Sequence, residues 1–87
     1  MAKYKLVFKK SVAKDLRSIP NKDVARILER INALVKNPKP ENSIKLTGQE
    51  KYRIRQGVYR ILYELQDLEL TIIVVKIAHR KEVYKSH

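Results

Sequence analysis

Between Lys51 and Ile77 the chain offers three strand-like runs, Lys51 to Gln56, Val58 to Gln66 and Glu69 to Ile77, separated only by Gly57 and by Asp67-Leu68. The runs alternate in polarity or are rich in Val, Ile and Tyr, which is the pattern of strands. A parallel crossover needs about a dozen residues or more, so these short separations require antiparallel hairpins. That constraint commits the C-terminal half to a small sheet.

Upstream the period changes. Tyr4 to Phe8 alternates with Lys and reads as a short first strand. Val12, Leu16 and Ile19 then recur at helical spacing until Pro20 stops them, giving a first helix of roughly two to three turns. Asn21 is placed to cap a second helix. Its apolar stripe, Val24, Ile27, Leu28, Ile31, Leu34 and Val35, stands against Arg26, Glu29, Arg30 and Lys36 on the other side. Asn37-Pro38-Lys39-Pro40 ends that helix, because proline cannot donate to it and restrains the residue before. Lys39 to Glu50 reads as a polar connection without an element of its own, and Ala78 to His87 as a short helical or irregular tail.

The order β-α-α-β-β-β predicts an α+β, two-layer fold: a helical hairpin covering one face of a small, mainly antiparallel sheet, plus a short C-terminal tail or helix. A chain of 87 residues suits a single domain spanning 1–87. There is no Cys, which excludes a disulfide framework and a thiolate zinc site. No other metal-ligand cluster, Gly-rich phosphate loop or Ser-His-acid set is present, so neither a metal nor a cofactor is expected. The longest apolar stretch, Leu70 to Val75, is far short of the roughly 20 residues that span a bilayer, and the amino terminus lacks a secretory apolar run. A cytoplasmic protein with no membrane partner is expected.

Charge is the unbalanced quantity. Against 9 Asp and Glu stand 20 Lys and Arg, a formal net charge of +11, which favours polyanionic partners. The second strand concentrates that charge: a period of two sends Tyr52 and Ile54 to one face and Lys51, Arg53 and Arg55 to the other. With Gln56-Gly57 as a two-residue turn, Arg55 lies opposite Val58 and Arg53 opposite Arg60. Guanidinium groups facing one another across a ladder destabilise it, by a few tenths to about 1 kcal/mol each, and a bound phosphate relieves that cost. Basic residues on an outer sheet face also serve plain solubility. In the tail, His79 has an imidazole suited to proton transfer near neutral pH or to packing, and Arg80 and Tyr84 lie one helical turn apart.

These residues together resemble the RelE/ParE toxin superfamily, specifically its RelE branch. The resemblance rests on Lys45-Leu46-Thr47-Gly48, on Tyr52-Arg53-Ile54-Arg55-Gln56-Gly57-Val58-Tyr59-Arg60-Ile61-Leu62-Tyr63, and on Val75 to Arg80 with Val83-Tyr84. It implies a toxin that enters the ribosomal A site, cuts mRNA there with the ribose 2′-hydroxyl as nucleophile, and is held inactive by an acidic, RelB-like antitoxin. Arg53, Arg55, Arg60, Arg80 and Tyr84 match the family's catalytic set, and Lys45, Lys51, His79 and Lys81 are the implied RNA contacts. The resemblance gives the scissile phosphate to Arg53 and Arg60, phosphate stabilisation and leaving-group protonation to Arg80, and stacking to Tyr84. Lysines are frequent in the family where Arg53 and Arg55 stand here. Arginine resists deprotonation, which leaves His79, His87, Tyr84 or no residue as the general base. The competing readings are a ParE-like inhibitor of DNA gyrase and a non-catalytic RNA-binding module.

Overall fold

The computed structural model describes residues 3–46 and 50–81. In chain order the elements are β1 (Lys5–Phe8), α1 (Lys10–Arg17), α2 (Asn21–Leu34), β2 (Ile44–Lys45), β3 (Lys51–Gln56), β4 (Tyr59–Gln66) and β5 (Thr71–His79). Among the described residues the strands form one sheet in the order β1-β5-β4-β3-β2. β3, β4 and β5 make the antiparallel meander that the short separations demand, while β1 joins β5 in parallel. The chain between β1 and β5 is long enough for that parallel pairing.

The hairpin turn is Gly57-Val58, one residue later than the sequence suggests, with Gln56 paired to Tyr59. Gly57 has φ 60°, and Val58 is not among the positive-φ residues. A positive φ at the first central position is what a II′ turn requires, and glycine supplies it without steric cost. The polar connection after α2 holds the two-residue strand β2, which pairs Ile44 with Arg53 and Lys45 with Tyr52. Two residues are too few for any period to reveal. Asn21 is the first helical residue and not the cap. Pro20 takes the cap position with φ −56° and ψ 142°, and its carbonyl accepts the amides of Asp23 and Val24 at 2.9 and 3.0 Å. Ala78 and His79 belong to β5, so the strand reaches into the segment read as tail. The remainder of that tail, from Glu82, lies outside the described residues.

The core joins Ile27, Ile31 and Leu34 of α2 to Tyr52, Ile54, Ile61, Tyr63, Leu65, Ile72, Val74 and Ile77 of the sheet. Burying an Ile or Leu side chain contributes about 1.5–3 kcal/mol, so this layer is the main source of cohesion. In β5 the buried positions step from Ile72 and Val74 to Ile77, which breaks a period of two. A register shift explains it: Leu62 pairs with Lys76 and Tyr63 with Val74, leaving Val75 as an extra, bulged residue.

α1 packs along β5 where β1 has ended. The Ile77 amide donates to the Asp15 carboxylate at 3.2 Å, the Lys76 ammonium donates to it at 2.9 Å, and the Ser11 hydroxyl donates to the Val75 carbonyl at 3.5 Å. Side chains of α1 thus satisfy strand groups that an uncovered edge would present to solvent. Across the sheet, the Tyr63 hydroxyl donates to the Pro38 carbonyl at 2.7 Å and ties β4 to the segment leaving α2. The Tyr52 ring stacks on Tyr63 at 5.7 Å, and the Lys39 ammonium lies over the Tyr52 ring.

Burial pushes the Tyr63 phenol up to about 12 from its usual 10.0. A raised folded-state pKa stabilises the fold fully below the unfolded value and ceases to do so as pH rises through the folded one. Tyr63→Phe should cost about 1 kcal/mol at pH 8 through the lost hydrogen bond. Between pH 9 and pH 11 the wild type should lose about 1 kcal/mol relative to that variant, as measured by urea denaturation. A gap between the two proteins that does not narrow over this range would contradict the account of Tyr63.

Candidate functional site

The face of the sheet away from α2 carries the arginines. Tyr52 and Ile54 are buried, and the residues between them point the other way: Arg53 is half-buried and Arg55 exposed. Arg55 pairs directly with Arg60, Arg53 with Leu62 and Lys51 with Glu64. Sequence reasoning placed Arg60 opposite Arg53. The observed register differs by two positions in the pairing, an even step, so all three arginines keep a common face and Arg60 becomes the diagonal neighbour of Arg53.

Arg60 pairs on its other side with Ala78. Arg80 is two residues beyond Ala78, and its amide donates to the Val58 carbonyl at 2.7 Å, extending the ladder past the end of β5. Alternation thereby carries Arg80 toward the same end of the same face. Four guanidinium-bearing residues meet at the hairpin end of an open sheet surface.

Glu64 shares the face but is engaged by Lys9 at 3.8 Å. Arg53 and Arg55 make no salt bridge with a carboxylate among the described residues. The Arg53 Nε is shielded from solvent and has no hydrogen-bond partner there. A buried donor of a charged group left unsatisfied costs about 1–3 kcal/mol, and the directly opposed Arg55 and Arg60 add a few tenths to about 1 kcal/mol. An anion with several oxygens removes both penalties, and a planar guanidinium can engage two of those oxygens at once.

The other residues singled out from sequence are dispersed. Lys51 is on the arginine face, two positions from Arg53 and across from Glu64. Lys45 pairs with Tyr52 on the opposite face and is bridged to Glu50 at 3.5 Å. His79 pairs with Tyr59, also on the α2 side, with the two rings edge to face at 5.5 Å. Its Nδ1 accepts the Lys81 amide at 3.0 Å, so the imidazole is built into the strand end and directed away from the arginines. Lys81 is exposed in the turn after β5. Tyr84 and His87 lie outside the described residues. No group of three His, Cys, Asp or Glu among the described residues could hold a metal ion.

Lys76 was missed. Strict alternation from Ile72 and Val74 sends it into the core, but the bulge at Val75 turns it out beside Leu62 on the arginine face. A bulge inside a continuous apolar run leaves no mark in the sequence.

Replacing Arg55 with Thr should raise stability by a few tenths to about 1 kcal/mol at low ionic strength, because it removes the directly opposed charge and keeps a strand former. Urea denaturation checks this. A loss of stability would show that the arginine pair is not in conflict.

The sequence and the fold both have known counterparts. A family model described as the ParE toxin of the type II toxin-antitoxin system parDE matches residues 6–84. A putative toxin RelE1 from Methanocaldococcus jannaschii is 32% identical over 88 residues, covering 97% of this chain and 98% of the relative. Among solved structures, the archaeal RelE-RelB complex from Pyrococcus horikoshii OT3 superposes with a TM-score of 0.79 at 29% identity, covering 95% of this chain and 100% of that one. The RelB-RelE antitoxin-toxin complex from Methanococcus jannaschii gives a TM-score of 0.69 at 34% identity, with coverages of 86% and 91%. Match length and fold point the same way, and the chain belongs to the RelE/ParE superfamily of type II toxin-antitoxin toxins, with RelE toxins among its relatives.

Proposed function

We propose that this toxin is a ribosome-dependent endoribonuclease that cuts mRNA in the A site and so stops translation. The observation that carries the reading is the set Arg53, Arg55 and Arg60 on one open sheet face, with Arg80 at the end of the neighbouring strand. In the proposed reaction the ribose 2′-oxygen attacks the adjacent phosphorus, its proton passes to solvent or a base, and the 5′-oxygen leaves with the electron pair of the broken bond and takes up a proton. The products are a cyclic phosphate and a 5′-hydroxyl. Arg53 and Arg60 hold the scissile phosphate, Arg80 stabilises the charge that builds on the phosphorane and protonates the leaving oxygen, and Tyr84 stacks on or orients the cut nucleotide.

No histidine among the described residues faces the arginines, so the site works mainly by orientation and electrostatics. That accounts for a need for the ribosome: decoding-centre RNA would supply the in-line geometry that the toxin alone does not impose. The partner that silences it is an acidic, RelB-like antitoxin segment covering the basic face, a proposal supported by the RelE-RelB complexes among the structural relatives. Such a toxin acts in the cytoplasm.

Because the matching family model describes ParE toxins, inhibition of DNA gyrase is the second reading. Purified toxin added to translating ribosomes, with the 5′ ends of the message mapped, separates the two. New 5′ ends at A-site codons support the nuclease. Intact message together with inhibited gyrase supercoiling would overturn it.

Arg60→Ala and Arg80→Ala should each lower cleavage by about 10²- to 10³-fold while leaving the circular dichroism spectrum unchanged, since each removes charge from an open face and no packing from the core. His79→Gln should keep nearly full activity, whereas loss of a general base typically costs about 10²- to 10⁴-fold. Cleavage assays on ribosomes read all three.

A further inference from the structure

The side of the β3–β4 hairpin away from the arginines is not sealed. Strand alternation sends Gln56 and Tyr59 toward α2, and at this end of the sheet two adjoining cavities of about 300 and 340 Å³ lie between the hairpin and the helix. Arg26 and Gln56 line both. We infer that this groove is a nucleotide site, in which Arg26 holds a phosphate and the Gln56 amide reads an adenine base. The groove is on the opposite side of the hairpin from the arginine face, so its occupancy is independent of the ribonuclease reading.

Three observations support this site. The first is the charge on the helix. Lys22, Arg26 and Arg30 follow one another at intervals of four, so Arg26 has a like charge one turn away on each side. Like charges at that spacing weaken a helix, and none of the three makes a salt bridge among the described residues. A phosphate on Arg26 replaces that repulsion with charge-assisted hydrogen bonds.

The second is the amide. Gln56 continues the face of Tyr52 and Ile54, which are buried, yet it is only half-buried and its side chain makes no hydrogen bond among the described residues. A carboxamide presents a donor and an acceptor side by side, the pair that meets N7 and the N6 amino group of adenine.

The third is the balance of the walls. Asp23 and Glu29 also line the groove, and Asp23 accepts the Tyr59 hydroxyl at 3.5 Å. Three cations against two carboxylates suit a single phosphate and leave no surplus for a long polyanion or a run of acidic side chains. None of the large apolar side chains exposed among the described residues lines the groove, so a protein partner would lack the buried apolar anchor on which such interfaces depend. The ligand class is an adenine nucleotide unit with one phosphate. It has two sources, a free mononucleotide or one nucleotide of an RNA strand whose neighbour lies on the arginine face. Gln56 follows Arg55 and Tyr59 precedes Arg60, so the two faces are one residue apart along each strand.

The test is an NMR titration of the intact chain with AMP that follows the Gln56 side-chain amide and the Arg26 Nε–Hε signal, with ribose 5-phosphate as the probe that lacks the base. Both signals should shift with one Kd, of about 10 µM to 1 mM for a ligand of this size, and ribose 5-phosphate should bind about tenfold more weakly. Gln56→Met, which removes the amide and keeps the length, should erase the preference for AMP, and Arg26→Gln should weaken both probes about tenfold. If a variant fails to fold, the comparison of the two probes on the wild type still decides. Shifts confined to Arg53, Arg55 and Arg60, with Arg26 and Gln56 unmoved, would overturn the site. Equal Kd values for the two probes would overturn the base reading, since the groove would then take an anion alone. A 2′-O-methyl adenosine trinucleotide separates the sources: groove and arginine-face signals moving together, with a Kd below that of AMP, identify a nucleotide of RNA. Movement of the arginine face alone by the trinucleotide, with the groove still answering to AMP, identifies a free nucleotide.

Discussion

The register of the β3–β4 hairpin is the constraint on which the rest depends. One pairing scheme, set by Gly57 in a conformation that a II′ turn requires, puts Tyr52, Ile54, Ile61 and Tyr63 under α2. The same scheme puts Arg53, Arg55 and Arg60 on the other face. A slip by one residue would bury guanidinium groups and expose the core in a single step, so stability and the cationic surface are locked together. The fold does not have to stabilise the arginine cluster in its own right. The apolar layer beneath holds it in place.

The second organising feature is the treatment of β5. That strand lies between β1 and β4, yet β1 pairs with it only from Thr71 to Val74. Beyond that point Ser11 and Asp15 of α1 take over its outward backbone groups, and the bulge re-aims Lys76. A helix side chain that both satisfies a strand amide and grips a lysine couples the first helix to the open face. Core and surface meet at Asp15, a residue that contributes to both.

Legibility in the sequence followed the length of the signal. The α2 stripe and the three-strand meander were readable because six or more positions in each repeat one period, and the common face of the arginines survived a misplaced turn because the error in pairing was even. What failed was local. The two residues of β2 are too few to show a period, Pro20 caps α2 through its carbonyl where Asn21 seemed the better side chain, and β5 runs on to His79 under cover of a sequence that reads as tail. The bulge mattered most for the site. It is a property of the pairing between two strands, so no single run of residues announces it, and it is why Lys76 was assigned to neither the core nor the site.

The claim that ties fold to function is that the arginine face is a built phosphate site. The most direct measurement is an NMR titration that follows the arginine Nε–Hε signals while a short 2′-O-methyl RNA, which cannot be cut, is added. The signals of Arg53, Arg55 and Arg60 should shift together and saturate with one affinity, Arg53 most of all because its Nε lacks a partner among the described residues. Unmoved signals from these three residues, with shifts confined to lysines elsewhere, would contradict the account.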